Sequence, residues 1–535
     1  MVPVGTTAER IESSVSAPAL ILWAQGLPGG VEVVAEPRGL PASRRTVRIA
    51  APTGASVDAS WAGAPGGPPG AVRDSQVEWR GEVDGPYGVR LRLPAGRATV
   101  QASVVAEGPD GGIAVTGELP IGGIVSEPSE RVTLLPNGLL VLTKERLDSN
   151  TVAVVVAVRA GSRDEDDTTS GGSHWLEHAH FLGTARRPSN QAVFGAVEAV
   201  GGEINATTSW ELTDYFIAVP ADEFQLALDV LADMLLDSVF PEEHFNRERK
   251  VVFEELNRRQ NTPGALAGDL FYSNVFRVHP ARRLIGGTIE SVQSIPLETI
   301  LAYREQRYVA GNMTIAIAGR VGHAEAVAAV EAAFARLPSG EWVHRPVVIE
   351  PAPEEPREVR VALGDRQAHL MLGGLAPSAT SDDREAFIVL DAILDHPGRR
   401  LASEIRDKRG LATSVGASYF GLTDTGAWAA SAVTTPDKVE EVKALILAEL
   451  RRLRDEPVSQ QEVDDAVRSI RGSRQISEER NLGQARRLAR DAALGLLEPW
   501  ELWLERLDRV TPADVQRVAR AYLDLDHLTT VVVTF

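Results

Sequence analysis

Three of the chain's ten histidines fall within seven positions, in the stretch Gly171-Gly172-Ser173-His174-Trp175-Leu176-Glu177-His178-Ala179-His180. His174 and His178 are four apart, so on a helix they stack one turn above the other on the same face. Two imidazoles placed this way can take two corners of a tetrahedral metal ion. Glu177 points to the same side without taking a corner. There it can hold a water and accept its proton as the water attacks a carbonyl, while an ion would lower that water's pKa toward neutral. The same spacing also suits a hydrogen-bonded polar face on an ordinary helix, and the motif alone leaves both readings open. His180 lies off the shared face and is expected not to be a ligand. His244 and the remaining histidines lack ligand spacing and read as structural or surface groups.

A catalytic zinc takes three protein ligands and leaves its fourth corner to solvent. The third candidate lies in Glu248-Arg249-Lys250-Val251-Val252-Phe253-Glu254-Glu255, within a long helical pattern. Glu248 and Glu255 are two turns apart and share a face. Glu255 as ligand and Glu248 as the carboxylate that orients a ligand histidine is a coherent assignment, with Val251 and Val252 anchoring the helix to the core. Glu254 reads as an exposed or ion-paired side chain. Acidic residues on helices are common, so this segment does not decide the matter alone. The chain has no cysteine, which excludes disulfides, thiolate nucleophiles and Cys-rich zinc sites. It has no Gly-x-Ser-x-Gly elbow and no phosphate-binding Gly-x4-Gly-Lys-Ser/Thr loop.

The elements that must position these residues can be read along the 535-residue chain. Residues 1–126 are rich in Gly, Pro and Ala, with short alternating runs at roughly ten-residue spacing, which suggests a small all-β, sandwich-like domain. From Val132 the texture changes. Val132–Leu135 and Leu139–Leu142 flank Asn137-Gly138 as a hairpin, and Thr151–Ala160 is a strong strand. Helical patterns follow over Gln191–Val200, Phe224–Leu236, Glu242–Arg259 and Leu297–Arg307. A Pro- and Glu-rich stretch near 341–356 reads as an exposed linker. The blocks on either side end alike. Ile295–Ile300, Tyr308 and Asn312–Ile317 match Val510–Val515, Tyr522 and Leu528–Val533, with a one-residue slip, as one helix-then-strand unit. The fold class is therefore α+β: two related domains, 127–340 and 357–535, each a mainly antiparallel sheet with helices packed on it, preceded by the small all-β domain. Only the first copy carries the histidine cluster.

Basic residues number 55 and acidic residues 74, a net charge of −19, which argues against nucleic-acid partners. No apolar run is long enough for a membrane span, and Glu9 and Glu12 ahead of Ala19–Ala24 make a poor signal peptide. The expectation is a cytoplasmic protein.

His174-x-x-Glu177-His178 followed by Phe181-Leu182-Gly183-Thr184, with Glu248-x6-Glu255 some 70 residues later, resembles the inverted-zincin peptidases of the pitrilysin, insulysin and mitochondrial processing peptidase family. Leu135–Leu139 resembles that family's opening hairpin, Gly201–Thr208 its active-site edge strand, and Ile405–Ala412 a signature of its second domain. The resemblance spans roughly residues 130–535. It implies a Zn2+ cofactor held by His174, His178 and Glu255, with Glu177 as catalytic base and Glu248 in support. It implies a clamshell of two halves, of which short members supply one and dimerise. Peptide substrates would enter extended and add a strand at Asn205-Ala206-Thr207. The family's substrate-gripping half carries an Arg and, seven residues on, a Tyr; here Arg406 is present but the second position is Thr413. The implied partner is a second family subunit carrying the Arg/Tyr pair, or a second copy of this chain. The same resemblance also admits a dedicated leader-peptide processing enzyme or a catalytically silent scaffold subunit.

Overall fold

Thr151–Val158 is β-branched and apolar on both faces, the composition of a strand covered from two sides, and every residue from Val152 to Val158 is buried. The structure, a computed structural model, describes residues 130–534 apart from 342, 344, 365 and 396–399, together with ten strand segments between Arg10 and Ile121. The apolar strand sits inside a six-stranded sheet. Its members are β1 (Glu130–Leu134), β2 (Leu140–Glu145), β3 (Thr151–Val158), β4 (Glu203–Thr208), β5 (Thr213–Pro220) and β6 (Met313–Gly319), in the order β1-β2-β6-β3-β5-β4. Only β2 and β6 run parallel. The β1–β2 turn uses Gly138 at φ +96°, a conformation that favours glycine.

The second sheet repeats this plan. Strands β7 (Arg357–Ala362), β8 (Ala368–Ala376), β9 (Ala412–Gly421), β10 (Gly426–Thr434) and β11 (Thr529–Thr534) lie in the order β7-β11-β8-β10-β9, with β7 and β11 its one parallel pair. Strand for strand this is β2-β6-β3-β5-β4, so the duplication read from the helix-then-strand endings extends through both sheets. The described segments before residue 130 form two five-stranded antiparallel sheets.

Helices α1 (Gly172–His180), α2 (Asn190–Glu198), α3 (Phe224–Asp237), α4 (Glu242–Gln260), α5 (Pro263–Val275), α6 (Ile289–Ser294), α7 (Leu297–Arg307) and α8 (His323–Ala333) belong to the first repeat. The second holds α9 (Arg384–Asp395), α10 (Val439–Asp455), α11 (Gln460–Glu478), α12 (Asn481–Leu494), α13 (Trp500–Asp508) and α14 (Pro512–Tyr522). One face of each sheet packs on helices of its own repeat. The other face is covered by a helix from the opposite repeat. Ala485, Leu488, Ala489 and Ala492 of α12 lie against Ala153, Val155 and Ala316 of the first sheet. Ala267, Phe271 and Val275 of α5 lie against Ala427, Ala429, Val531 and Val533 of the second. The chain divides near 341–356, but the packing does not, because a sheet apolar on both faces needs a second cover.

The stretch 341–356 contains no helix or strand among its described residues, yet it is no free tether. The Arg345 side chain is 5% exposed and forks onto Asp164 at 2.7 and 2.5 Å. Beside it, Arg163 donates to Glu211 at 2.5 Å and bidentately to Asp424 of the second repeat at 2.9 and 2.7 Å. The three side chains are 3%, 4% and 7% exposed, so removing the cation leaves two carboxylates without their guanidinium in low dielectric. Arg163→Leu is expected to cost about 3–5 kcal/mol of stability, read as a lowered midpoint in chemical denaturation.

Candidate metal centre

The motif helix is held at both ends and along one side. At its start, Glu165 accepts the backbone N–H groups of Gly171 and Ser173, each at 2.7 Å, so a buried carboxylate closes the helix N-terminus. Burial pushes that carboxyl up to about 8 despite the two donors. Gly171 sits at φ +89°, and a Cβ there would lie 2.7 Å from the Gly286 carbonyl oxygen, so the entry turn requires glycine. α1 ends at His180, with Gly183 at φ +123° in the turn that follows. Along its side, Trp175 is fully buried and stacks on Phe245 of α4 with ring centroids 3.7 Å apart. Arg249 lies over the same indole at 4.8 Å and donates to the Gln293 and Ile295 carbonyls, tying α4 to the C-terminal end of α6.

α4 is anchored by Phe245, Val252 and Leu256. Of the two valines expected to anchor it, Val252 is fully buried but Val251 is 49% exposed. Adjacent helical positions are about 100° apart, so only one of the pair can face the core. Glu254 is exposed, as anticipated.

This crossing brings His174, His178 and Glu255 together, their ligand atoms all within 4.8 Å of one another. His174 Nε2 and His178 Nε2 lie 3.8 and 3.5 Å from Glu255 Oε2. A tetrahedral zinc with bonds of roughly 2.0–2.1 Å has edges of about 3.4 Å, so a small inward rotation of the rings closes the set on an ion. Two imidazoles and a carboxylate are also the donor types zinc takes. Glu248 Oε1 sits 2.9 Å from His178 Nδ1, fixing that ring so that Nε2 faces the other ligands. The residues fit the metal. Glu177 stays outside the ligand set, with Oε2 accepting a hydrogen bond from the Thr208 hydroxyl; burial pushes its carboxyl up. Burial and the neighbouring His178 bring His174 down to about 4, leaving it neutral. Burial pulls His178 down too, but the hydrogen bonds it donates to Glu248 and Glu255 outweigh it and raise the ring to about 9. The hydrogen bond from His178 holds Glu255 down at about 2.

The anticipated peptide-docking residues lie on the strand beside this centre. β4 is the sheet's edge, with Asn205 and Thr207 exposed and Ala206 buried. The Asn205 side-chain oxygen accepts the Ala206 N–H at 2.9 Å. Arg406 is not brought to the metal centre: it lies in the helical segment Ala402–Asp407 of the second repeat and pairs with Asp407 at 2.8 Å. Thr413 stands at the irregular start of β9. Tyr419 cannot stand in for the absent tyrosine, because its phenol donates to the Pro377 carbonyl and its ring packs on Phe387. His180 is fully buried against Tyr215 and is no ligand. Glu165 and Thr208 were not singled out from the sequence. The signals were an acidic residue just ahead of the helix start and a threonine at the end of the strand stretch.

Against known proteins, an insulinase (peptidase family M16) model matches residues 140–289 and a peptidase M16 inactive-domain model matches residues 294–470. A probable mitochondrial-processing peptidase subunit beta of Arabidopsis thaliana is 33% identical over 412 residues, covering 75% of this chain and 77% of that protein. The chain belongs to peptidase family M16. An uncharacterized zinc protease of Streptomyces coelicolor is 32% identical over 403 residues, 74% of this chain and 87% of its own length. A protease from Helicobacter pylori has the same fold, with a TM-score of 0.73 at 24% identity over 76% of this chain and all of that one. A peptidase M16 inactive domain from Pseudomonas fluorescens follows at 0.70, with 22% identity over 76% of this chain and 98% of that one.

Because His178 holds a proton below about pH 9 in the metal-free protein, zinc uptake at neutral pH must release it. Zinc affinity is therefore expected to rise about tenfold per pH unit up to about pH 9. Calorimetry in buffers of different ionisation enthalpy should count about one proton released per ion near pH 7. Glu248→Ala, which frees the His178 ring, should weaken zinc binding by about 10- to 100-fold in competition with a chromophoric chelator.

Proposed function

We propose that this chain is the zinc-bearing subunit of an endopeptidase that cleaves unfolded peptides bound in an extended form inside a clamshell chamber. The observation that carries this is the convergence of His174, His178 and Glu255 beside Glu177, which stays outside the ligand set and accepts from Thr208 at the end of the edge strand β4. Zinc held by the three ligands would supply Lewis acidity, lowering the pKa of water and polarising the scissile carbonyl. Glu177 takes the proton of the attacking water and passes it to the leaving amine. Its raised affinity for a proton suits that exchange better than an ordinary carboxyl would. β4 receives the peptide main chain at Asn205-Ala206-Thr207, which gives affinity with little demand on side chains.

The partner follows from what this chain lacks. Arg406 has no tyrosine seven residues on, and Thr413 has neither the reach nor the aromatic face of one. The missing grip would come from a second subunit that carries the pair. The Arabidopsis relative's description as a processing peptidase subunit beta favours a second reading, dedicated removal of leader segments, with the same chemistry at the same residues. A silent scaffold is disfavoured by the intact set of His174, Glu177, His178 and Glu255.

Glu177→Gln is expected to retain about one zinc per chain while peptide cleavage falls by about 10²- to 10⁴-fold, since Glu177 is base and not ligand. Metal analysis beside a fluorogenic peptide assay checks it, and loss of zinc in that variant would reverse the roles. The purified chain alone is expected to cleave far more slowly than with its partner; full activity unaided would rule the heterodimer out. Product mapping on a mixed peptide pool separates broad degradation, with many unrelated cuts, from leader processing, with few.

A further inference from the structure

The catalytic base is fixed from outside its own helix. Glu177 Oε2 accepts from the hydroxyl of Thr208, the last residue of β4. Directly across the register lies Thr213 of β5, its hydroxyl oxygen 3.5 Å from that of Thr208. Thr213 donates to the Ala160 carbonyl at 2.9 Å. A threonine hydroxyl has one proton to give. Thr213 gives its own to Ala160 and so cannot donate to Thr208; its oxygen, 3.5 Å away and neutral, is a poorer acceptor than the carboxylate, so the Thr208 proton goes to Glu177. Thr208 is 8% exposed and Thr213 fully buried, so water does not compete for this arrangement. The wall behind them is equally committed. Arg304 donates to His180 Nε2 at 3.3 Å, which leaves His180 Nδ1 as donor to Tyr215 at 2.9 Å, and Tyr215 meets Tyr308 at 2.9 Å.

We propose that Thr208 is the positioning residue of the general base: its hydroxyl holds one carboxylate oxygen of Glu177 clear of the metal ligands and leaves the other for the water. This rests on the peptidase reading above. Thr208 belongs to the strand that would receive the peptide, so base and docking edge share one backbone. Removing the hydroxyl leaves that backbone intact, and the effect falls on the chemical step.

The test compares Thr208→Val, Thr208→Ala and Thr208→Ser with the zinc-loaded wild type, and repeats the set with cobalt(II) in place of zinc. Valine keeps the shape of threonine without its hydroxyl. Thr208→Val, or Thr208→Ala should the valine variant not fold, is expected to lower kcat by about 10- to 100-fold, as a misplaced catalytic group does. KM should stay within about twofold, with zinc content unchanged. Thr208→Ser should restore kcat. The visible cobalt spectrum should differ from wild type in the valine or alanine variant and match it in the serine variant, because a released Glu177 changes the ion's surroundings. An unchanged kcat and spectrum, a change confined to KM, or a serine variant as impaired as the valine one would overturn the proposal. If wild type cleaves no peptide, the peptidase reading fails, and the cobalt spectra still decide whether Thr208 positions Glu177.

Discussion

The metal centre depends on α1 and α4 crossing at one fixed angle, and apolar packing sets that angle. Glu255 is 38% exposed, and ion pairs at such positions contribute no more than about 1 kcal/mol. Trp175 and Phe245 are each buried to within 1%, and truncating a buried ring of this kind costs about 3–5 kcal/mol. The ring stack therefore outweighs the histidine–carboxylate contacts severalfold. The ligands converge because the helices are already locked, so little reorganisation is left for the ion to impose. Glu248 then refines what packing has set, turning His178 by a single hydrogen bond.

Helix exchange extends the same logic to the whole chain. β3 alternates Val152, Val154 and Val156 toward one core with Ala153, Val155 and Ala157 toward another. Two apolar faces need two covers, and each repeat lends the other a helix to supply the second. The ion-pair cluster at Arg163, Glu211, Asp424 and Arg345 closes the joint from the polar side. α4, which brings Glu255, runs into α5, which is buried in the second repeat's sheet. The helix that carries Glu255 is thus anchored through a repeat whose described residues group no metal ligands of their own.

What could be read in advance follows the range of the interactions. Helix and strand patterns with strong periodicity were legible almost to the residue: Leu297–Arg307 is a helix over that span, and Glu242–Arg259 ends one residue later. The motif residues were legible because two histidines and a glutamate on adjacent turns carry their geometry in their spacing. Glu255 needed more, since a helical carboxylate has no local mark that distinguishes it from Glu254. The two-way choice between Val251 and Val252 turned on which face of α4 meets Trp175, which no local pattern encodes. Helix exchange was hidden for the same reason, because α5 and α12 are amphipathic helices whose sequences do not name the sheet they cover.

The two edge strands left by duplication have diverged in a way that bears on where a peptide can bind. At β4, the Ala206 N–H meets the side-chain amide oxygen of its own neighbour, Asn205. An incoming carbonyl can replace that short loop one for one, and the freed amide turns to water or to the peptide. At β9, the Ala417 N–H is held by the Asp395 carboxylate at 2.9 Å, and Asp391 accepts from the Tyr419 backbone. Burial and the neighbouring Asp395 push Asp391 up to about 7. Hydrogen bonds to charged acceptors are roughly twice as strong as neutral ones, so the exposed Asp395 carboxylate holds the Ala417 N–H more firmly than the Asn205 amide holds that of Ala206. The β9 edge backbone is thus committed to acidic side chains, where that of β4 meets a neutral amide. The repeat that groups His174, His178 and Glu255 also carries the less committed edge.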